Sequence, residues 1–95
     1  MRTVAVRITL RIPWAQSLKE KRSAVSRFIR DLDELGSLSI AEVDDHDRWQ
    51  TATVGVAVVA PDEEGLGLVL DRVRGFLGRP GDIEVVSFEV GNSDE

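Results

Sequence analysis

The sequence contains no cysteine and a single histidine, His46. The lack of cysteine excludes disulfide bridges, thiolate catalysis and cysteine-ligated zinc, and is typical of a protein in a reducing compartment. One histidine leaves few groups for acid–base chemistry, and no serine or threonine stands beside it in a known nucleophile motif. We therefore expect a protein that is not an enzyme and that carries no cofactor.

Long apolar runs are also missing. No segment approaches the roughly 18 uninterrupted apolar residues of a membrane span, and the N-terminal segment alternates apolar with polar residues where a signal peptide would be apolar throughout. We therefore expect a cytoplasmic protein that does not contact a membrane. With 95 residues, of which 42% are apolar, the chain predicts one domain over residues 1–91 and a frayed tail over residues 92–95.

Basic residues are the minority charge, 12 against 17 acidic ones, which gives a net charge of −5. An acidic total argues against a general electrostatic attraction to nucleic acid, because such binding needs a positive field facing the phosphates. The distribution is uneven, however, since residues 19–30 hold five basic side chains against one acidic side chain. The sequence thus predicts a polarised molecule with its positive charge concentrated in one segment.

The first half of the chain shows one clear strand and one clear helix. Apolar residues occupy every second position from Val4 to Ile12, which predicts a strand with one buried face, ended by Pro13. Ser17 and, three residues later, Glu20 form the sequence pattern of a capping box. The helix that they begin is predicted to continue to Gly36, with these residues on its apolar face: Leu18, Val25, Phe28, Ile29, Leu32 and Leu35.

The second half repeats these element types. Leu38, Ile40 and then Val43 predict a second strand, and residues 51–58 alternate in the manner of a third. The polar turn between them predicts a hairpin. Asp62 is the expected cap of a second helix, and the glycines of residues 78–81 end it. The last strand, "IEVVSFEV" over residues 83–90, changes phase between its two adjacent valines, which predicts a bulge between Val85 and Val86.

The element order is therefore βαββαβ. This order is typical of the α+β ferredoxin-like fold, in which a four-stranded antiparallel sheet of strand order 4-1-3-2 carries both helices on one face. In that topology the start of helix 1, the turn over residues 44–49 and the loop over residues 79–82 meet at one edge of the sheet. Trp14 and Trp49 are predicted at the same edge, packed over the loop ends.

The stretch "SLKEKR", residues 17–22, places cations at a helix start, where the backbone dipole disfavours them. On a helical wheel Lys19, Arg22, Arg27 and Arg30 fall outside the apolar arc, so they are candidates for contacting an anion or RNA. The alternative is that the acidic turn opposite neutralises the helix start, and the sequence favours this second interpretation.

Lys21 is different, because the wheel places it inside the apolar arc of helix 1. An unpaired buried charge costs several kcal/mol, so Lys21 needs either access to water or a carboxylate partner. Glu42 shares its strand face with Leu38 and Ile40 and ends at the same sheet edge. We therefore predict a structural charge pair between Lys21 and Glu42.

The turn "DDHDRWQ" holds Asp44, Asp45, His46 and Asp47. These four are the strongest candidates for metal ligands in the chain, but they lack a second histidine and a recognised ligand spacing. Aspartate is also common in turns for geometric reasons. The sequence therefore predicts a solvated turn and no metal site.

The sheet face without helices is predicted to carry small and β-branched residues. RNA-recognition domains of this topology stack bases on aromatic residues of that face, and here there are none, nor is their aromatic sequence motif present. Such a face fits a contact between two copies of the chain at least as well as it fits RNA binding. The face is predicted from these positions: Arg7, Thr9, Arg11, Thr51, Thr53, Ala57 and Val59.

Three segments resemble the YlxP-like family of short bacterial proteins of unknown function: "RIPWAQSLKEKRSAV", "SIAEVDDHDRWQTATVGVAVV" and "LVLDRVRGFL". The positions that carry the family pattern are Ser17, Leu18, Lys19, Glu20, Lys21, Arg22, Ala41, Glu42, Val43, Asp44, Asp47, Trp49 and Gln50. Trp14 departs from the pattern, where a small or polar residue is expected after the proline.

The resemblance implies a ferredoxin-like fold, a cytoplasmic location and a bacterial source. It also implies a link to translation or ribosome maturation, because genes of the family often lie near those for translation initiation and ribosome-binding factors. Together with the basic segment, it favours a non-enzymatic protein that binds RNA or a ribosomal particle through the start of helix 1. The alternative is a dimeric interaction module that uses the open sheet face, and no motif identifies a small-molecule substrate.

Overall fold

The computed structural model describes residues 1–91 as six elements in the predicted order. Their bounds are β1 Arg2–Arg11, α1 Leu18–Asp33, β2 Leu38–Asp44, β3 Thr51–Ala60, α2 Glu63–Leu77 and β4 Glu84–Gly91. Neither of the two helices has the length and apolar content needed to cross a lipid bilayer. The predicted frayed tail, residues 92–95, lies outside the described residues.

The four strands form one antiparallel sheet in the order β2-β3-β1-β4, which confirms the predicted ferredoxin-like fold. Alternate residues of the two central strands are buried beneath the helices, as the period-two pattern of the sequence requires. They pack with both helices in one core, which includes Val6, Ile8, Leu10, Val54, Val56, Val58, Ala24, Val25, Phe28, Leu32, Val69 and Val73.

Two irregularities interrupt the pairing of the edge strands. In β4 the partners of Thr9 and Leu10 are Ser87 and Val85, so Val86 is the extra residue of a bulge, at the predicted position. In β2 the partners shift between Glu42 and Asp44, which makes Val43 the extra residue of a second bulge that the sequence did not reveal.

The bulge in β2 changes the direction of the residue that follows it. Glu42 pairs with Val54, on the helix side of the sheet, whereas Asp44 pairs with Thr53, on the open side. Without the bulge, Asp44 would lie on the same side as Glu42, two positions earlier. The acidic residue at the end of β2 therefore points away from α1.

Candidate functional site

Ser17 and Glu20 form the start of α1, as the capping pattern predicts. The Ser17 side chain accepts a hydrogen bond from the Glu20 backbone N–H at 3.1 Å. The Glu20 carboxylate accepts one from the Gln16 N–H at 2.8 Å, one residue earlier than in the usual reciprocal arrangement. Capping therefore occupies these two residues and leaves the neighbouring cations free for other contacts.

Lys21 is fully buried and joins α1 to the β2–β3 turn. Its ammonium group donates to the carbonyl oxygen of Asp45 at 2.6 Å and lies 3.5 Å from that of His46. The predicted contact with Glu42 is present, with Nζ 2.8 Å from Oε2. This oxygen makes no aligned hydrogen bond, so the attraction between the two side chains is that of opposite charges at short range.

Asp45 connects the two sides of the sheet at this turn. Its backbone adopts a positive φ of 62°, a conformation that aspartate tolerates better than most residues. Its carbonyl faces Lys21, while its carboxylate accepts a hydrogen bond from the Thr53 hydroxyl at 2.8 Å and lies 3.6 Å from Arg48 Nε. The turn is thus held by side chains on both faces of the sheet.

Asp44 makes its contacts on the open face. Its carboxylate accepts from the Asp45 N–H at 2.8 Å and forms an ion pair with Arg7 at 3.0 Å. The Asp45 N–H, assisted by the Arg7 charge, lowers the pKa of Asp44 below its ordinary value of 3.8. A lowered folded-state pKa contributes stability that is present above pH 3.8 and is lost as pH falls through the folded-state value.

The neutralisation of Lys19 and Arg22 by the acidic turn, which the sequence favoured, is not formed. The carboxylates of Asp44 and Asp45 contact Arg7, Thr53 and Arg48 instead. Within residues 1–91, neither Lys19 nor Arg22 has an ion pair, and both side chains are exposed. For Asp44 the physical reason is the bulge at Val43, which turns this residue to the face opposite α1. Asp47, the third carboxylate of the turn, is exposed and forms no ion pair within residues 1–91.

Lys19 and Arg22 belong to a longer feature along the outer surface of α1. We call the four cations of this feature, Lys19, Arg22, Arg27 and Arg30, the basic row. Together with Ser23 and Ser26 they line a shallow groove. Arg27 lies 3.2 Å from Asp82 and Arg30 lies 3.9 Å from Asp31, and both pairs are solvent-exposed. Exposed pairs of this kind contribute about 0–1 kcal/mol, so an incoming anion can displace them at small cost.

Gln50, a residue of the family pattern, and Trp14, which departs from that pattern, fasten the loop between β1 and α1. The Gln50 side chain donates to the carbonyls of Pro13 and Ala15 at 3.0 and 3.1 Å. The Trp14 indole N–H donates to the carbonyl of Asp82 at 3.0 Å, which ties this loop to the one before β4. Trp49, by contrast, is 54% exposed.

The four residues that the sequence singled out as the strongest metal candidates are not gathered into a ligand set. Among residues 1–91 there is no group of three or more histidine, aspartate or glutamate side chains that are placed to hold a metal ion. Asp47 and His46 are both exposed, and the His46 ring contacts the Glu42 carbonyl at 3.3 Å. The turn therefore offers structural contacts and no convergent donors.

A cleft that the sequence did not reveal lies beside the basic row. It has a volume of about 210 Å³ and is bordered by α1, the end of α2 and the segment that leads into β4. Phe28, Phe76 and Ile83 supply apolar surface, while Arg27 and Arg79 lie on its border. These residues come from three distant segments, so no local pattern in the sequence marks the cleft.

Comparison with known proteins agrees with this picture of a small α+β domain. Residues 3–90 match a family described as "Protein of unknown function (DUF503)". The "Uncharacterized protein YlxP" of Bacillus subtilis (strain 168) is 33% identical over 70 residues, which cover 74% of this chain and 76% of that protein. The solved structure of the "De novo designed protein Foldit4" shares the fold alone, with a TM-score of 0.56 at 16% identity over 96% of this chain and 98% of that one. The family match extends over all six secondary-structure elements, and the chain belongs to the DUF503 family.

Proposed function

We propose that this protein is a non-enzymatic cytoplasmic protein that binds RNA, including the RNA of ribosomal particles, through the basic row of α1. The observation that carries the proposal is that Lys19 and Arg22 are exposed and have no ion pair within residues 1–91. No carboxylate of the acidic turn pairs with them within residues 1–91. Asp44 and Asp45 contact Arg7 and Arg48, and the exposed Asp47 has no ion pair there.

The arrangement of the row suits a phosphate backbone. From Lys19 to Arg30 it extends about 16 Å, at a rise of about 1.5 Å per helical residue. Two serines lie between its cations, and hydroxyl groups commonly donate to phosphate oxygens in nucleic-acid complexes. Since the whole chain has a net charge of −5, the attraction comes from this local surface and is expected to be strongly weakened by salt.

The test compares two double variants of equal charge. We expect Lys19→Ala/Arg22→Ala to weaken binding of a labelled single-stranded RNA about tenfold at low salt, measured by fluorescence anisotropy. The slope of log affinity against log salt is expected to fall by about 1.4, since each phosphate contact to a single strand contributes about 0.7. The melting temperature is expected to change by less than about 2 °C, because both side chains are exposed.

Arg11→Ala/Arg72→Ala is the control, because it removes the same charge from exposed positions on β1 and α2. Equal losses in the two double variants would show that only total charge matters and would contradict a defined surface. For the ribosomal particle, the measurement is sedimentation of a lysate at low salt. Absence of the protein from all ribosomal fractions would remove that partner.

A second candidate function is a dimer formed through the open sheet face. The observation in its favour is that Val43 and Val59 are about half exposed there, at 49% and 58%, next to the small residues Ala5 and Ala57. We expect light scattering at tens of micromolar to give twice the monomer mass of 10.5 kDa. Val59→Lys should restore the monomer, and a wild-type monomer at that concentration would contradict this candidate.

A further inference from the structure

We infer that the cleft beside the basic row holds one unpaired nucleobase, so that the RNA bound by this protein is single-stranded at that point. The inference rests on the proposed function, because it assumes that the phosphates of the same RNA lie along α1. It adds the class of RNA and a second set of contacting residues. The physical link is Arg27, which belongs to the basic row and also borders the cleft.

The size and surface of the cleft suit a single aromatic ring system. Its volume of about 210 Å³ lies below the roughly 300–1,000 Å³ of pockets for drug-sized ligands. Phe28 and Phe76 meet edge to face with ring centres 5.5 Å apart, and Ile83 lies on the same lining. Aromatic and apolar linings are what an unstacked base contacts in single-stranded RNA complexes.

The border of the cleft offers polar groups for a base edge. Arg79 places its guanidinium 5.2 Å from the centre of the Phe76 ring, and a guanidinium plane is itself a surface on which bases stack. Asp31 and Asp82 also border the cleft, and carboxylates accept hydrogen bonds from the exocyclic amino groups of bases.

These two carboxylates also decide which part of a nucleotide enters. Negative groups at the border repel a phosphate, whereas the basic row beside them attracts one. The Arg27–Asp82 pair at 3.2 Å is exposed, so Arg27 can turn to a phosphate at small cost. The charges therefore favour an RNA strand whose phosphates follow α1 while one of its bases turns into the cleft. A base that stays paired in a duplex cannot enter the cleft in this way.

The direct test compares three RNA probes on the wild-type protein by fluorescence anisotropy. They are a mixed-sequence single strand, an abasic chain with the same number of phosphates, and the corresponding duplex. We expect the intact single strand to bind about tenfold more tightly than either of the others, since this factor corresponds to about 1.4 kcal/mol, which the stacking of one base can supply. Equal affinity for all three probes would overturn the inference.

The fluorescence of Trp14 provides an independent measurement of whether a base enters the cleft. Its indole donates to the Asp82 carbonyl at 3.0 Å, in the loop that borders the cleft. The chain has two tryptophans, so the variant Trp49→Phe leaves Trp14 as the single source of tryptophan emission. We expect this emission to change when the intact strand binds and to stay constant with the abasic chain; the same change with both chains would overturn the inference.

Two variants then test the residues of the cleft. Arg79→Ala removes an exposed side chain, and Phe76→Leu keeps an apolar residue in place of the ring. Each should bring the affinity for the intact strand close to that for the abasic chain and leave abasic binding unchanged. Arg74→Ala is the matched control for Arg79→Ala, because Arg74 lies in the last turn of α2 with its guanidinium over a different ring, 5.2 Å from the centre of Phe88.

The outcomes separate this inference from the proposed function. If no RNA probe binds at low salt, the proposed function fails and this inference fails with it. If all probes bind equally and Lys19→Ala/Arg22→Ala weakens them equally, the basic row stands and the base-binding cleft is wrong.

Discussion

Replacing Lys21 by methionine is expected to lower the free energy of unfolding by about 3–5 kcal/mol, the usual effect of removing one partner from a buried ion pair. Methionine is unbranched like lysine and only one atom shorter, but it carries no charge and donates no hydrogen bond. Glu42, whose side chain is only 17% exposed, would lose its cation, and the Asp45 carbonyl would lose its donor. Small domains have a total stability of about 5–15 kcal/mol, so this one change would remove a large share. Urea denaturation followed by circular dichroism measures it.

The matched control is Lys19→Met, two residues earlier on the same helix. Lys19 is exposed and has no ion pair within the described residues, so the same substitution there should change stability by less than about 0.5 kcal/mol. Lys21→Met/Glu42→Gln should recover part of the loss, because it removes the uncompensated charge but leaves the Asp45 carbonyl without its donor. A loss below about 1 kcal/mol for Lys21→Met would contradict the structural charge pair.

The Lys21 contact shows how far sequence patterns reach. The helical wheel places Lys21 on the buried side of α1 and strand alternation places Glu42 on the same side, so their pairing follows from two regular periods. The carbonyl partners on Asp45 and His46 do not follow, because they depend on the positive φ of Asp45. Several residues of a polar turn can adopt that conformation, and their types alone do not determine which one does.

The sequence predicts the positions of the cations in the basic row, but it does not predict which of them have a carboxylate partner. Exposure of Lys19 and Arg22 follows from helical periodicity, whereas one extra residue in β2 removes Asp44 as a carboxylate partner for them. The bulge at Val43 reverses the side on which Asp44 lies and pairs it with Arg7. Strand alternation assumes unbroken pairing, and the sign of this bulge in the sequence is the step from Leu38 and Ile40 to Val43, which also fits the simple end of a strand. The cleft escapes for a different reason, since its lining depends on tertiary packing.

Gly55→Val is expected to lower the free energy of unfolding by about 1–3 kcal/mol, the usual range for overpacking. Gly55 lies on the open face of β3 with a backbone that does not require glycine, since its φ is not positive. A β-carbon at this position would lie 2.9 Å from the Cγ1 atom of Val43, the extra residue of the bulge. The Val43 side chain rotates about a single stiff torsion angle and cannot easily move aside. The backbone of the bulge would therefore have to shift. Chemical denaturation measures the loss.

Two further variants identify the cause of that loss. Ala57→Val makes a valine two positions along the same strand and face, at an exposed site, and should be neutral or slightly stabilising because valine favours strands. In a protein that already carries Val43→Ala, the loss of unfolding free energy caused by Gly55→Val should be smaller by about 1–3 kcal/mol. This difference is the coupling energy expected of residues in direct contact. If the cost of Gly55→Val were the same with and without Val43, the contact with the bulge would not be its origin. Because the same bulge turns Asp44 away from α1, the absence of a side chain at Gly55 is one condition for the position of Asp44 on the open face.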